Sequence, residues 1–424
     1  MNAVSRPPPA PEAGHRAFAS FSNADFRLYF LFATAAMMGD NVEHVISYWV
    51  MYEKFHSPAL GGFAVISHWV PFLLLAGYSG ALADRIDIRR LIQVGMLMLL
   101  AVSVGWGIMF VSDSAAMWKA MLLLVVHGLA GVVWIPASQV LIHQIVSADQ
   151  LGSAVRLGAT GRYVGFLVGP AVGALLLLAL GPALGIFANA LLYVPFIVWM
   201  IGAPYGKAAA NWRPAPRALN GIKDIWRTMK VVARHRVLLA MTVLVGAASF
   251  FVGNAYQAQM PGFARDLNVG RADLSYSALL AADACGGLIG GILLESRGLL
   301  QPRTRTAFVL AMIWCLALAG FARANSYALA LCLLFIAGFV ELAFNSMAQA
   351  LVQLNAPNDM RGGVIGVFSM SAMGLRTFSG LSVGLLGSSS GIHYSLSYSA
   401  CALLAVIGTI FIAQFLRKAR GAAA

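Results

Sequence analysis

Stretches of about 20 apolar residues, each closed off by charge, proline or glycine, recur along the whole chain. A helix needs about that length to cross the hydrocarbon core of a bilayer, where the backbone must satisfy its own hydrogen bonds. The runs fall at roughly 27–52, 60–83, 90–111, 117–145, 152–179 and 182–202, then at roughly 237–264, 274–296, 304–322, 326–354, 361–386 and 392–416. Twelve helices use up most of the 424 residues and leave little for a separate soluble domain. Charged residues make up 11% of the chain, against about 25% in a soluble globular protein, which excludes an ordinary soluble enzyme. The sequence thus predicts an all-α membrane protein with twelve transmembrane helices in two six-helix bundles.

Charge sets the orientation. The net charge of +13 points to nucleic acid only if basic residues share solvated faces with aromatics, and here they sit in the gaps between apolar runs. No nucleic-acid partner is expected. Of 29 Lys and Arg, 22 fall on the side that holds both termini and the longest polar segment, and five fall opposite. Arg162 and Arg376 lie within helices. The positive-inside rule then places both termini in the cytoplasm. Residues 1–24 are expected to be a disordered cytoplasmic tail without a cleaved signal peptide, 25–203 and 237–417 the two bundles, and 418–424 a second tail. Between the bundles, 204–236 carries eight basic residues while Ile222, Ile225, Trp226, Met229 and Val232 recur at helical spacing, the pattern of an amphipathic linker lying on the bilayer. Membrane lipid is therefore an expected partner. Cys285, Cys315, Cys332 and Cys401 lie inside apolar runs without paired spacing and read as packing residues.

The two halves repeat. Gly80–Arg85 reads GALADR and Gly291–Arg297 reads GILLESR, an offset of 211, while Asp149 and Asp359 head similar segments at an offset of 210. Two matches at offsets one residue apart support a duplicated six-helix unit.

Gly80, Leu82, Ala83, Asp84, Arg85, Arg89 and Arg90 follow the pattern G-x-L-A-D-R-x-G-R-R, with Asp87 in place of its later glycine and Ile88 interrupting the basic run. The chain thereby resembles the major facilitator superfamily, in a form similar to its secretion-effector and siderophore-exporter members. The resemblance implies that this motif latches the halves when the cytoplasmic side is closed. Physically, Asp84 can dock on the free N–H groups of a helix start, with Arg85 pairing beside it; the plainer reading is that the arginines only enforce topology. Gly161, Gly165, Gly169, Pro170 and Gly173 put a glycine every four residues on one face of the fifth helix. That face resembles the antiporter motif of the family, although Arg156 stands where an upstream glycine belongs, and close helix packing accounts for it equally. Gly380, Gly384 and Gly387 show similar spacing in the eleventh helix.

An ionisable group at membrane depth costs about 2.5–3.5 kcal/mol and therefore faces a polar cavity or a partner. Asp40 and Glu43 in the first helix, Asp283 in the eighth and Glu341 in the tenth are such groups, with Arg162 and Arg376 in corresponding positions of the two halves. These six are the candidate residues for proton coupling or the substrate cavity; a static salt bridge, Asp40 with Arg162, is the structural alternative. His44, His68, His127 and His143 read as hydrogen-bonding groups. His44 sits beside Glu43, and four-residue helical spacing with a second ligand is read as absent there, so no metal is expected. No Walker loop is present and no cofactor is expected, so an ion gradient is the driver.

The expectation is a monomeric, non-enzymatic secondary transporter of the bacterial cytoplasmic membrane that exports a small siderophore-like or drug-like organic molecule in exchange for protons. A proton-driven importer, a lipid flippase and a non-transporting scaffold stay open.

Overall fold

The computed structural model describes residues 17–208 and 222–422, apart from 56–57, 113, 115, 254, 268–271, 298–301, 380–382 and 384–389. The first half holds α1 (Ala24–Phe55), α2 (Pro58–Ala83), α3 (Ile88–Val111), α4 (Met117–Ile145), α5 (Leu151–Ala190) and α6 (Val194–Gly202). A linker helix α7 (Ile222–Arg234) leads into α8 (Arg236–Phe251), α9 (Ala255–Asp266), α10 (Ala272–Arg297), α11 (Thr304–Ala322), α12 (Tyr327–Asn355), α13 (Arg361–Ser369) and α14 (Ile392–Ala422). Among the described residues, eight spans are long and apolar enough to cross a membrane by themselves.

The other crossings differ from these for local reasons. Asp40, Glu43 and four further charged residues dilute the apolarity of α1. The fifth and sixth crossings run together as one 58-residue stretch, within which Gly181 takes φ 74°, ψ 173° and breaks α5, a conformation that suits glycine alone. The seventh is divided into α8 and α9 by a break at Val252–Gly253, where Gly253 has φ 47°. The eleventh passes from α13 into a π-helical turn at Met370–Gly374. Counted with these broken or diluted crossings, the helices agree with the expected twelve in two halves of six.

Each half owns its packing. Buried apolar side chains from Val232 to Ile407 form one core, and those of the first half form two more, one of which also takes in Ala350 and Ile365 and is touched by Met370 and Met373 from beyond the linker. Two helix pairs dominate the contact between halves, α2 with α13 and α5 with α10. The α2–α13 crossing is backbone against backbone: a Cβ on Gly80 would lie 2.1 Å from the carbonyl oxygen of Gly362, and one on Gly366 would lie 2.4 Å from that of Ala76.

The glycine face of α5 packs within its own half, on α1. Cβ atoms at Gly165 and Gly169 would lie 2.9 Å from Met37 Cβ and 2.6 Å from Asn41 Cβ, and one at Gly173 would lie 3.1 Å from Val42 Cα. Pro170 sits inside the helix at this face. Since α1 carries Asp40, Glu43 and His44, the stripe fixes how deeply those side chains sit.

Three expectations are adjusted. The tail is folded from Ala17 onward: a 3-10 turn at Ala19–Ser22 buries Ser20 against Ser153 Oγ at 3.0 Å. The linker helix does not simply lie on a bilayer. Asp224, Thr228 and Val232 form a buried face against α2 and α13, while Trp226 and Met229 stay exposed. At the carboxyl end the helix α14 continues through residues 418–422. Residues 1–16, the linker residues 209–221 and Gly380, Gly384 and Gly387 lie outside the described residues.

Gly169→Leu is expected to push α1 off α5 at an overpacking cost of about 1–3 kcal/mol. A lowered melting temperature in detergent, with Gly202→Leu unchanged as the control in open space, is the measurement; equal stability of the two variants contradicts the packing account.

Candidate functional site: a central chamber between two latches

Between the halves lies a chamber of about 320 Å³. The first half contributes Asp40, His44, His68, Trp69 and Arg162 to its wall, and the second Gln257, Glu341 and Arg376. Glu43 and Asp283 stand one layer behind, 2% and 5% exposed. The six candidate residues are thus drawn together from four helices and the segment after the turn that follows α13, and the four acids fall in two separate centres.

In the first-half centre, Asp40 and Glu43 surround His127 rather than Arg162. His127 Nδ1 lies 2.8 Å from Glu43 Oε1, and its Nε2 lies 3.0 Å from Asp40 Oδ1, off the line of a hydrogen bond. Ser103 donates to the other oxygen of Glu43 at 2.5 Å, and Asn189 in turn donates to Ser103 at 3.2 Å. His44 and His68 complete the group, with ring centroids 4.8 and 5.4 Å from that of His127.

The second-half centre is a carboxyl pair joined through a phenol. Tyr256 Oη lies 3.0 Å from Asp283 Oδ2 and 3.0 Å from Glu341 Oε2, and Gln257 Nε2 donates to Asp283 Oδ2 at 2.9 Å. A phenol has one proton to give. It can donate to one carboxylate, so the second contact is a hydrogen bond only when the other carboxyl carries a proton and donates to Oη. Oδ1 of Asp283 is buried without a hydrogen bond, which leaves a full negative charge there poorly supported. The arrangement therefore suits two carboxyls that share one proton.

Both arginines reach across the chamber. Arg162 donates to Gln349 Oε1 at 2.7 Å, and the Arg376 guanidinium sits over the Trp69 ring at 5.3 Å. Each ties its own half to the other, at sequence positions 214 apart. The contacts described for the expected Asp40–Arg162 pair are instead Asp40 with His127 and Arg162 with Gln349.

The positively charged end is closed by two latches related by the internal repeat. Asp84, just beyond α2, accepts hydrogen bonds from the N–H groups of Gly362 at 2.5 Å and Gly363 at 2.8 Å, at the start of α13. Glu295, 211 residues later, pairs with Arg156 at 2.7 Å, accepts from Ser153, and accepts from the N–H of Phe18 at 2.9 Å, at the start of α5. Gly80 lets α2 come close enough for the first latch. The arginines of the motif brace it from behind. Arg85 pairs at 2.8 Å with Asp224 on α7, not with its neighbour Asp84. Arg89 holds Asp87 at 2.8 Å and donates to the carbonyl of Ala203 at 3.1 Å, and Arg90 donates to Gln93 at 3.2 Å. Asp87, where the pattern has glycine, starts α3 by accepting from the N–H of Arg89. Burial raises its carboxyl, but the Arg89 side chain and backbone N–H outweigh this and hold it below the usual range.

Tyr256, Gln257, Glu295, His68 and His127 are the members a reading of the sequence misses. Glu295 was signalled by its 211-residue offset from Asp84, and the first-half centre by Asp40 standing four residues before His44. Tyr256 reads in the sequence only as a cavity-lining aromatic, and nothing there marks Gln257.

A family model described as transmembrane secretion effector matches residues 15–423. Provisionally named multidrug resistance proteins MdtD are similar: that of Cronobacter sakazakii is 26% identical over 120 residues, covering 28% of this chain and 24% of that protein. That of Klebsiella pneumoniae is 25% identical over 112 residues, covering 26% and 23%. The match thus spans about a quarter of the length of these curated relatives. The human organic anion transporter MFSD10 superposes with a TM-score of 0.71 at 12% identity, over 91% of this chain and 98% of that one. A variant of the Escherichia coli fucose:proton symporter FucP does so with a TM-score of 0.69 at 12% identity, over 93% and 99%. At that identity these likenesses establish the fold.

Burial pushes the Asp84 carboxyl up to about 6, against the pull of the Gly363 and Gly362 amides and of Arg85 and Arg361. A carboxyl raised in the closed state binds its proton more tightly there than in an open state where water returns it to about 4. The proton's contribution to closure is therefore complete below about pH 4 and fades as pH rises through about 6. Cysteine at Ile135, in the chamber wall of a chain whose native cysteines are replaced, is expected to react with an impermeant maleimide from the positive end faster at pH 7 than at pH 5 once its rate is divided by that of an exposed reference cysteine, which removes the thiolate's own pH dependence. Asp84→Asn is expected to flatten that dependence, and Glu295→Gln to raise labelling at both values. Identical pH profiles with and without Asp84 refute the assignment.

Proposed function

The chain belongs to the transmembrane secretion effector family, and from that premise we propose that it exports a small organic molecule in exchange for protons across the bacterial cytoplasmic membrane. A secondary transporter of the major facilitator fold needs a site reached alternately from the two sides, and a chamber enclosed by two rocking bundles suits that motion. The excess of positive charge at the latched end supports placing that end in the cytoplasm, with both termini. On this placement the present state is closed to the cytoplasm.

The observation that carries the proton coupling is the Tyr256–Asp283–Glu341 arrangement. One shared proton keeps each contact to Oη a hydrogen bond. Glu341 lines the chamber and so can exchange that proton with water or respond to cargo, whereas Asp283 is the buried reserve. Arg376 faces the same space, and an approaching substrate that draws the guanidinium toward or away from Glu341 changes the preference of the pair for its proton. Proton occupancy and substrate occupancy are linked through this one cation.

The cargo follows from the walls. Trp69, Phe72, Phe166 and Met373 offer aromatic and apolar surface, while Arg162 and Arg376 offer charge to an anionic or hydrogen-bonding group. An amphipathic drug-like or siderophore-like molecule fits that mixture. The names of the MdtD relatives agree with it.

Inside-out vesicles given an acid interior test the reading. Addition of a transported compound is expected to release protons from the lumen, and Glu341→Gln or Asp283→Asn to abolish uphill accumulation while substrate exchange without a gradient continues. Accumulation at the native rate in both variants sinks the coupling assignment. Proton movement into the lumen together with cargo points to import, and no pH response across a panel of amphipathic drugs and chelators points to a scaffold.

A further inference from the structure

We infer that the first-half centre is a binding site for a divalent late first-row transition cation, with Zn²⁺ as the reference ion, held by His44, His68, His127 and Asp40. The inference stands on the geometry of one bundle and does not need the cargo or the direction proposed above. It also departs from the sequence-based expectation that no metal is bound.

Each of the three imidazoles offers a ring nitrogen, and these three atoms lie within 4.8 Å of one another. A Zn²⁺ ion takes nitrogen ligands at about 2.0–2.1 Å in a tetrahedron, which places ligand atoms about 3.4 Å apart. The group must therefore contract by about 1.4 Å at most. The side chains that would move are the ones free to do so: His44 keeps 21% and Asp40 15% of the side chain exposed at the chamber. His127 is fixed, at 3% exposure.

Two nitrogens are left in the state a ligand needs. Nδ1 of His68 is buried and makes no hydrogen bond, and neither does Nε2 of His127, despite the nearby carboxylate. Buried polar atoms are nearly always satisfied, so His68 Nδ1 calls for an occupant, while Nε2 of His127 has only its ion-pair contact with Asp40. Asp40 supplies the fourth ligand, since its Oδ1 is 3.0 Å from His127 Nε2 and its Oδ2 is 4.0 Å from His44 Nδ1.

Glu43 has the other task. Its contact with His127 Nδ1 at 2.8 Å has Nδ1 donate, which leaves Nε2 as the nitrogen that would bind a cation once its own proton is displaced. Carboxylate support of a ligating histidine is the usual outer layer of a zinc site, and here that carboxylate is itself held by Ser103, which Asn189 supports. Charge closes the argument. Two carboxylates, neutral imidazoles and one dication sum to zero, which is the arrangement a low-dielectric bundle tolerates best, although Arg376 on the facing wall opposes a cation.

The test uses purified full-length protein in detergent, freed of any histidine tag and stripped of metal, titrated with Co²⁺ and Zn²⁺. The expected result is one saturable Co²⁺ per chain with the intense visible bands of tetrahedral coordination, displaced by Zn²⁺. His68→Gln, at a position whose Nδ1 holds nothing in the fold, is expected to remove the tetrahedral bands, and Glu43→Gln to weaken affinity about 10–100-fold while the bands persist. His393→Gln, outside the cluster, is expected to change neither. Gel-filtration profiles and melting curves establish that each variant is folded. Absence of saturable binding to the native protein, a weak octahedral spectrum, or tetrahedral bands that survive in His68→Gln overturns the proposal.

Discussion

Charge buried at membrane depth is the constraint on which this structure turns. Each such group costs several kcal/mol unless a partner or water meets it, and the chain carries Asp40, Glu43, Asp283, Glu341, Arg162 and Arg376 in its helices. The fold meets that cost in two ways. Glu43 and Asp283 are enclosed and hydrogen-bonded by neutral or imidazole neighbours, whereas Asp40, Glu341 and the two arginines open on a chamber between the bundles. No single bundle could provide that chamber, because a six-helix core of the kind formed here is filled by its own apolar side chains. The wet space exists where two cores meet without merging.

The same separation makes the ends of the bundles important. The α2–α13 crossing brings backbone close to backbone, its counterpart α5–α10 sets Gly291 against the Thr160 side chain, and at each a carboxylate from one half meets a helix start of the other. Asp84 takes two backbone N–H groups; Glu295 takes Arg156, Ser153 and the Phe18 N–H. The chemistry differs because the repeat has diverged, yet the positions correspond. Such contacts hold one state without filling an apolar core, so water and ordinary thermal motion can undo them. Asp224 on the linker helix adds a further connection through Arg85, which joins the segment between the bundles to the first latch.

Much of this was legible in the residues. Apolar length, the sidedness of Lys and Arg, and two matches at offsets one residue apart carry the twelve-helix, two-half organisation, since these depend on partition between water and hydrocarbon. Asp84 as a docking carboxylate follows from the motif and from the chemistry of a free helix start. The glycines of α5 were ambiguous, because four-residue spacing serves any close helix pair; the structure spends them on α1. Arg85 and Arg162 found partners that nearest-neighbour and opposite-charge reasoning misses. Asp224 lies 139 residues from the one, and Gln349 lies 187 from the other.

The sequence by itself determined what must leave water, which side of the helices carries the excess of Lys and Arg, and which costly charges need an environment, because transfer free energy acts on each residue where it stands. The tertiary structure alone decided which of those charges meet. His44, His68 and His127 come from three helices, and Tyr256 joins Asp283 and Glu341 from two others. Hydrogen bonds act over about 3 Å, and the relative rotation and depth of packed helices fix that distance, not the order of residues along the chain.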